Sequence, residues 1–402
     1  MACSFLDKRK LVRWGLWCGI ILVLLVGPLM AARGWAYAHL LEDFRDGLWN
    51  AGWSILHHRS VYAIGWLDHQ VAILRAGGSA VSRFDLPVYP APINVAMVPL
   101  ALLPFGWAGV LYTALNAAAM FAGLYLMDLR DWRCYAVVCA SWPFLYGICL
   151  GEVGPYLVLG AGIVWRYRDH VVAPALATAS IVTAKVFPWT IGVWLLATRR
   201  FRAFFVGLGF GIALLLIGWA VVGWQGMTTY PRLLSDVSTL EDASGDSIAR
   251  VIAWAGASRE AAAIVCLLVA CGLLAWAWRV RDERRSFSLA VMAALAGTPV
   301  VWDHYMVLLF VPIALMRPRF SWEWLGPALI PVGVYCSLHV WPDSNGFRSA
   351  ICWLLLEAAI IVWVGVGLER GRLLAQMTGR RVWRLGGIAP WRPSRDGPRS
   401  GW

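Results

Sequence analysis

Residues 33–92, RGWAYAHLLEDFRDGLWNAGWSILHHRSVYAIGWLDHQVAILRAGGSAVSRFDLPVYPAP, form the only long stretch near the N-terminus that is not continuously apolar. It follows an apolar run from Leu11 to Ala32 and precedes a series of others. It carries Glu42, Asp43, Asp46, His57, His58, Asp68, His69 and Asp85, with arginines at 45, 59, 75 and 83. A polar segment held between membrane-length apolar runs is read as a loop at a bilayer face, since a spanning helix takes about 20 apolar residues. If the chain does chemistry, this loop is expected to supply much of it.

The rest of the chain agrees. Of 402 residues, 60% are hydrophobic and 14% charged, whereas soluble domains carry about 25% charged residues. The apolar runs are long rather than short and alternating, which points to helices and not to a barrel. The formal net charge of +12 does not indicate nucleic acid, because the basic residues cluster between apolar runs, as in chains oriented by cytoplasmic arginines. Many of the 26 tryptophans lie near run ends, where indoles anchor at the interface. The nine cysteines show no CxxC spacing and lie mostly in or beside apolar runs, so they read as small buried hydrophobes.

The basic flank Lys8-Arg9-Lys10 places the N-terminus in the cytoplasm and the first apolar run is read as an uncleaved helix. Residues 33–92 then lie outside. Ile93 to Phe105 is too short to span and carries Pro99 and Pro104, so it reads as a broken or re-entrant piece before a full helix at Trp107–Met127. Val171–Thr198 begins and ends at basic clusters and must turn near the outer face, at Lys185 and Pro188. A second outer loop covers 225–260, and an arginine-rich tail, 369–402, returns to the cytoplasm. The expectation is an all-α polytopic membrane protein: a single domain over 1–368, ten to twelve crossings, and both termini inside. Every turn assigned to the cytoplasm is rich in arginine, and most free carboxylates fall on the other side.

Four ionisable groups, Glu152, Lys185, Asp303 and His304, each sit between apolar runs that are short for full spans. Such groups face a polar cavity, or one another, or are turn residues at the interface. A cavity of carboxylates, a lysine and a histidine suits a lipid-linked phosphate substrate, with cationic donors for the phosphate and a carboxylate base for an acceptor hydroxyl. Arg75, Arg83 and Arg250 are further phosphate candidates. The spacing of His57, His58 and His69 matches no defined metal site, and no cofactor is expected.

Several stretches, in order, resemble the polyprenyl-phosphate-mannose-dependent alpha-mannosyltransferases of glycosyltransferase family 87, a bacterial branch of the GT-C membrane fold. They are Asp43-Phe44 with Leu56 and Val61-Tyr62; Val88-Tyr89-Pro90-Ala91-Pro92 followed by Pro99 to Pro104; Gly151-Glu152; Lys185-Val186-Phe187-Pro188; and Thr298-Pro-Val-Val-Trp-Asp-His304. The chain departs from the family pattern at Glu152, where Gln is usual, at Arg59 and Ala91, and at Gly245-Asp246-Ser247, where an Asn-x-Ser stretch is usual.

The resemblance implies a GT-C-like bundle in the bacterial plasma membrane, moving a sugar from a polyprenyl-phosphate donor to a glycolipid or glycan on the extracytoplasmic face. It implies inversion, with Asp43 or Asp46 in the first outer loop deprotonating the acceptor. Lys185, His304, Asp303, Glu152, Arg250, Arg75 and Tyr89 are then candidates for the substrate and phosphate site. The other classes open at this point are a transporter or flippase of a lipid-linked or small polar substrate, predicted to move substrate without a covalent product, and a catalytically inactive envelope scaffold.

Overall fold

Phe105–Leu126, Phe201–Val222, Arg259–Arg279 and Ser349–Val366 are helical, apolar and long enough to cross a bilayer. Trp132–Ala140 and Trp142–Leu150 form one further span if taken together, bent by 60° at Ser141. The computed structural model describes residues 40–62, 88–240, 245–329 and 347–367, with His69 and Ala72. The described helices belong to a compact unit, Met1–Gly365. The first apolar run, Asp68, Arg75, Arg83, Asp85, Glu241, Asp242, Asp343 and the 369–402 tail lie outside the described residues.

Among the described residues there is helix and no strand. In chain order the elements that position the polar groups are α1 (Asp43–Trp49, a π-helix), α2 (Asn50–Leu56), α3 (Ala91–Ala96), α4 (Val98–Ala101), α5 (Phe105–Leu126), α6 (Trp132–Ala140), α7 (Trp142–Leu150), α8 (Gly154–Arg166), α9 (Val172–Ala184), α10 (Trp189–Ala197), α11 (Phe201–Val222), α12 (Trp224–Leu240), α13 (Ile248–Trp254), α14 (Arg259–Arg279), α15 (Glu283–Ala296), a 3-10 helix at Asp303–Leu309 running into α16 (Phe310–Met316), and α17 (Phe347–Val366). The broken piece expected before the Trp107 helix is the pair α3 and α4, each opened by a proline in its first turn. The expected turn at Lys185 and Pro188 separates α9 from α10. Against the ten to twelve crossings expected, four helices among the described residues, or five with the bent pair, are long and apolar enough to cross. The other expected crossings within them fall on helices shorter than a span.

α5 packs on α8, α9 on α11, and α14 on α15. At the first of these contacts a Cβ on Gly162 would lie 2.5 Å from the Gly123 carbonyl oxygen, so the two backbones approach as only small residues allow. Core polar groups are tied across helices. The Trp194 indole donates to Ser286 Oγ at 3.0 Å, and Thr190 donates to the Ala290 carbonyl at 2.7 Å.

The bundle has two chemically different ends. At one, Arg168 and Arg200 both reach Glu283, at 2.8 and 2.7 Å, Arg200 also reaches Asp169 at 2.9 Å, and Asp131 accepts from Arg133 and from the Phe320 amide. These are the turns read as cytoplasmic. The other end gathers the turns at 151–153, 185–188, 245–247 and 297–304. Exposed tryptophans mark both levels, Trp132 and Trp278 at the basic end and Trp107 and Trp224 at the other, as in the aromatic belts of membrane proteins.

Helix α1 is seated on the α7–α8 turn. The Leu41 amide donates to the Cys149 carbonyl at 2.6 Å, and Phe44 stacks on Tyr112 with ring centroids 4.2 Å apart. Gly151 makes the seat possible: its φ is +73°, and a Cβ there would lie 2.6 Å from Phe44 Cβ. Left-handed backbone on a non-glycine residue costs about 1–3 kcal/mol when the surroundings hold it, and here the clash adds to it. Gly151→Ala is expected to lower the thermal midpoint in detergent, followed by tryptophan fluorescence, and to reduce activity by displacing Asp43. A midpoint equal to that of the wild type would contradict this seat.

Candidate active site

Asp43 opens α1, partly buried, with the Tyr89 hydroxyl donating to it. Burial pushes its carboxyl up to about 6, opposed by the nearby Lys185 charge and helped by Glu42. Asp46 is turned elsewhere. It accepts from Arg45 Nε and Nη2 at 2.9 and 2.8 Å and from Asn50 at 3.3 Å. In an α-helix two acids three residues apart share a face. The wider turn of a π-helix breaks that spacing, so the pair is split between a site-facing acid and an acid tied to its own helix.

Glu152 follows the glycine seat and is fully buried. Its Oε2 accepts from Lys185 Nζ at 3.3 Å and lies 4.0 Å from His304 Nε2. Burial raises Glu152 to about 7 against the pull of Lys185. Its backbone carbonyl is held by Asn116 from α5. Lys185 emerges from the end of α9 and stands 3.7 Å above the Tyr305 ring and 5.6 Å from the Tyr89 ring. His304 is 5% exposed, packed between Tyr146 and Tyr305, and its Nδ1 has no hydrogen-bond partner. The Tyr112 hydroxyl is likewise buried beside Glu152 and Asp43. Asp43, Tyr89, Glu152, Lys185 and His304 thus come from five separate places in the chain to one site of carboxylates and a lysine walled by tyrosines.

Asp303 does not face this site. Its two oxygens accept from the Trp142 indole at 3.0 Å and the Trp353 indole at 2.7 Å. Asp246 also bonds to it, and to Ser349. Burial and the Asp303 charge push Asp246 far above the usual carboxylate range, so that it carries the shared proton. The same loop is pinned by the Asp246 amide on the Val301 carbonyl at 2.6 Å and by Ser247 on the Pro299 carbonyl. Arg250 is 7% exposed and donates to the Gly245 carbonyl at 2.9 Å, folding this loop. Asp303 and Arg250 therefore hold the scaffold that carries His304. Asp303→Ala is expected to strand the fully buried Trp353 indole at a cost of about 1–3 kcal/mol, read as a fall in thermal midpoint. Asp303→Asn, which keeps one acceptor, should fall less, and a midpoint unchanged in both would contradict this role.

Arg75 lies outside the described residues. His57 and His58 are exposed, His57 donating to the Trp53 carbonyl at 2.8 Å. Among the described residues no three His, Cys, Asp or Glu side chains are grouped for a metal ion. Sequence reasoning passed over Tyr112, Asn116, Tyr146 and Tyr305. The first three sit in helices where nothing in spacing sets them apart, whereas Tyr305 directly follows the Trp-Asp-His stretch and could have been included with it.

Fold and site together define a polytopic, all-helical membrane protein with a buried carboxylate-and-lysine site built at the end opposite its arginine-rich turns. The sequence profile described as Glycosyltransferase family 87 matches residues 88–312, more than half of the chain. The chain belongs to this family and is a membrane glycosyltransferase. The match includes Tyr89, Glu152, Lys185, Asp303 and His304, and Asp43 lies before it. The chain is 24% identical over 319 residues to a polyprenol-phosphate-mannose-dependent alpha-(1-2)-phosphatidylinositol pentamannoside mannosyltransferase of Mycolicibacterium smegmatis, covering 70% of this chain and 74% of that one. It is 23% identical over 320 residues to the protein of the same description from Mycobacterium tuberculosis, covering 70% of each. No solved structure matches.

Proposed function

We propose that the chain transfers mannose, or a related sugar, from a polyprenyl-phosphate donor to a glycolipid acceptor on the extracytoplasmic face of a bacterial plasma membrane. The observation that carries this reading is the convergence of Asp43, Lys185, Glu152 and His304 in one partly enclosed place. The relatives' printed names support the donor class and suggest a phosphatidylinositol mannoside or similar glycolipid as acceptor.

In this reading the acceptor hydroxyl oxygen attacks the anomeric carbon from the face opposite the phosphate. The carbon–oxygen bond to phosphate breaks and the configuration inverts. The hydroxyl proton passes to Asp43, and the bond's electrons leave with the polyprenyl phosphate. Asp43 is partly accessible, as a base for an incoming hydroxyl must be, whereas Glu152 is fully enclosed at the floor. Lys185 supplies the positive charge for the phosphate and His304 a second polar contact. Tyr89 holds Asp43. The polyprenyl chain would lie along exposed apolar helix faces such as that of α11, where Phe205 and Ile217 are each 60% exposed.

The test is to incubate purified protein with polyprenyl phosphates carrying mannose, glucose, galactose or arabinose, together with a glycolipid extract, and to measure polyprenyl phosphate released. Release with one donor and a matching rise in acceptor mass is expected. No release with any of them would count against the donor class.

A further inference from the structure

Glu152 is an unusual neighbour for a cation that must bind phosphate. It occupies the lysine already, with Lys185 Nζ 3.3 Å from Oε2, and it is fully buried. It has nowhere to withdraw to: Gly154 leaves room for Oε1 only by lacking a side chain, since a Cβ there would sit 2.2 Å from that oxygen. The groups facing it are Lys185, Asp43, Tyr89, Tyr112 and His304, with Tyr305 on the far side of the lysine. Lys185 is the sole cation among them unless His304 is protonated. With Asp43 ionised the empty site holds one positive and two negative charges. A phosphodiester entering it would make three.

We propose, resting on the donor reading above, that Glu152 is an internal counter-ion which the donor phosphate displaces from Lys185, and that donor binding is coupled to uptake of one proton by Glu152. The lysine exchanges one anion for another, and the carboxylate left behind is neutralised where it stands. The balance is simple: ion pair, phosphodiester monoanion and one proton give a lysine–phosphate pair and a carboxylic acid. The reverse step follows on departure of product, when loss of the proton restores the ion pair and helps expel polyprenyl phosphate. Glu152 is thus a specificity-determining residue that ties donor affinity to pH. Its carboxyl, already lifted to about 7 by burial, is poised for this. Binding needs the protonated form, so affinity is flat below about pH 7 and falls about tenfold per pH unit above it.

The experiment uses the full chain in nanodiscs and a short-chain polyprenyl-phosphate mannose, titrated calorimetrically from pH 6 to 9 in two buffers of different ionisation enthalpy. The wild type should take up close to one proton per donor bound at pH 8, and its affinity should fall about tenfold from pH 7.5 to 8.5. Glu152→Gln should take up none over that range, show flat affinity, and bind more tightly than the wild type at pH 8.5. If the wild type binds donor with no proton uptake at pH 8, the proposal is overturned on that protein alone, whether or not the variant folds. Equal pH dependence in both proteins would overturn it as well. Absence of donor binding in the wild type at every pH would instead remove the donor reading beneath it.

Discussion

Lys185→Met is expected to weaken binding of a polyprenyl-phosphate sugar by about 100-fold or more. Truncating one partner of a buried, hydrogen-bonded charge pair costs about 2–5 kcal/mol, and Lys185 is the cation that faces both Glu152 and Asp43. The loss should be separable from any loss of stability. Removing the lysine leaves Glu152 buried without a partner, and its carboxyl, already raised to about 7, rises further. The sign follows from linkage. Glu152 holds its proton in the folded state at pH values where the unfolded chain has lost it, so stability declines from the ordinary carboxylate range upward. In the wild type that decline ends near pH 7. In Lys185→Met it continues to higher pH. The gap in thermal midpoint between the two proteins should therefore be small at pH 6 and wide at pH 8. Lys185→Met combined with Glu152→Gln should regain much of the stability lost across this range, because the fully enclosed carboxylate is gone and the partly exposed Asp43 alone is left without the lysine. It should not regain donor binding, because no cation is left either. A double variant that binds donor like the wild type would show Lys185 to be structural only.

Asp43→Asn is expected to lower the rate of sugar transfer by about 100- to 10,000-fold, the range that a positioned general base contributes, with membrane insertion and fold retained. Asn preserves the shape and still accepts from Tyr89, so the change removes basicity alone. Asp46→Asn should cost far less, since Asp46 is tied to Arg45 and Asn50. In the wild type the base must be ionised. With its carboxyl at about 6 in the donor-free protein, transfer at limiting donor should rise through pH 6, and at saturating donor the rise should move to higher pH because the donor phosphate lies beside it. At low donor concentration a falling limb near pH 7 should appear on top of it, from Glu152. Asp43→Asn should abolish the rising limb in whatever residual rate remains.

Lys185 and Pro188 lie midway between two basic clusters, and charge placement alone forces a turn there. Gly151 followed by Glu152 marks a sharp polar turn between apolar runs, and Trp302-Asp303-His304 does the same. Those features are local, and all three turns do reach the same end of the bundle. What is not local is hidden. Asp43 and Asp46 look equivalent in the chain; the π-helical turn that separates them is set by the seat of Phe44 on Tyr112 and Gly151. Asp303 and His304 are adjacent yet face different surroundings, because two indoles, 161 and 50 residues away in the chain, and Asp246 claim the first of them. Tyr112 and Asn116 lie inside a 22-residue apolar helix and carry no sign in the sequence that their hydroxyl and amide look toward Glu152. The number of crossings is obscured for another reason. Hydropathy counts long helices, and the described residues hold four of them, five if the pair bent at Ser141 is one span, while shorter helices meet at the turns that carry the polar side chains.

The measurement that bears most directly on the site is a single turnover. Wild-type protein and Asp43→Asn, each in nanodiscs at pH 7 and in excess over a radiolabelled polyprenyl-phosphate mannose, are loaded with donor, and acceptor glycolipid is added. The wild type should convert bound donor to polyprenyl phosphate and mannosylated acceptor within the first turnover. Asp43→Asn should bind the same amount of donor and keep it intact. Conversion by Asp43→Asn at the wild-type rate would contradict the assignment of the base, and with it the account of how this end of the bundle works.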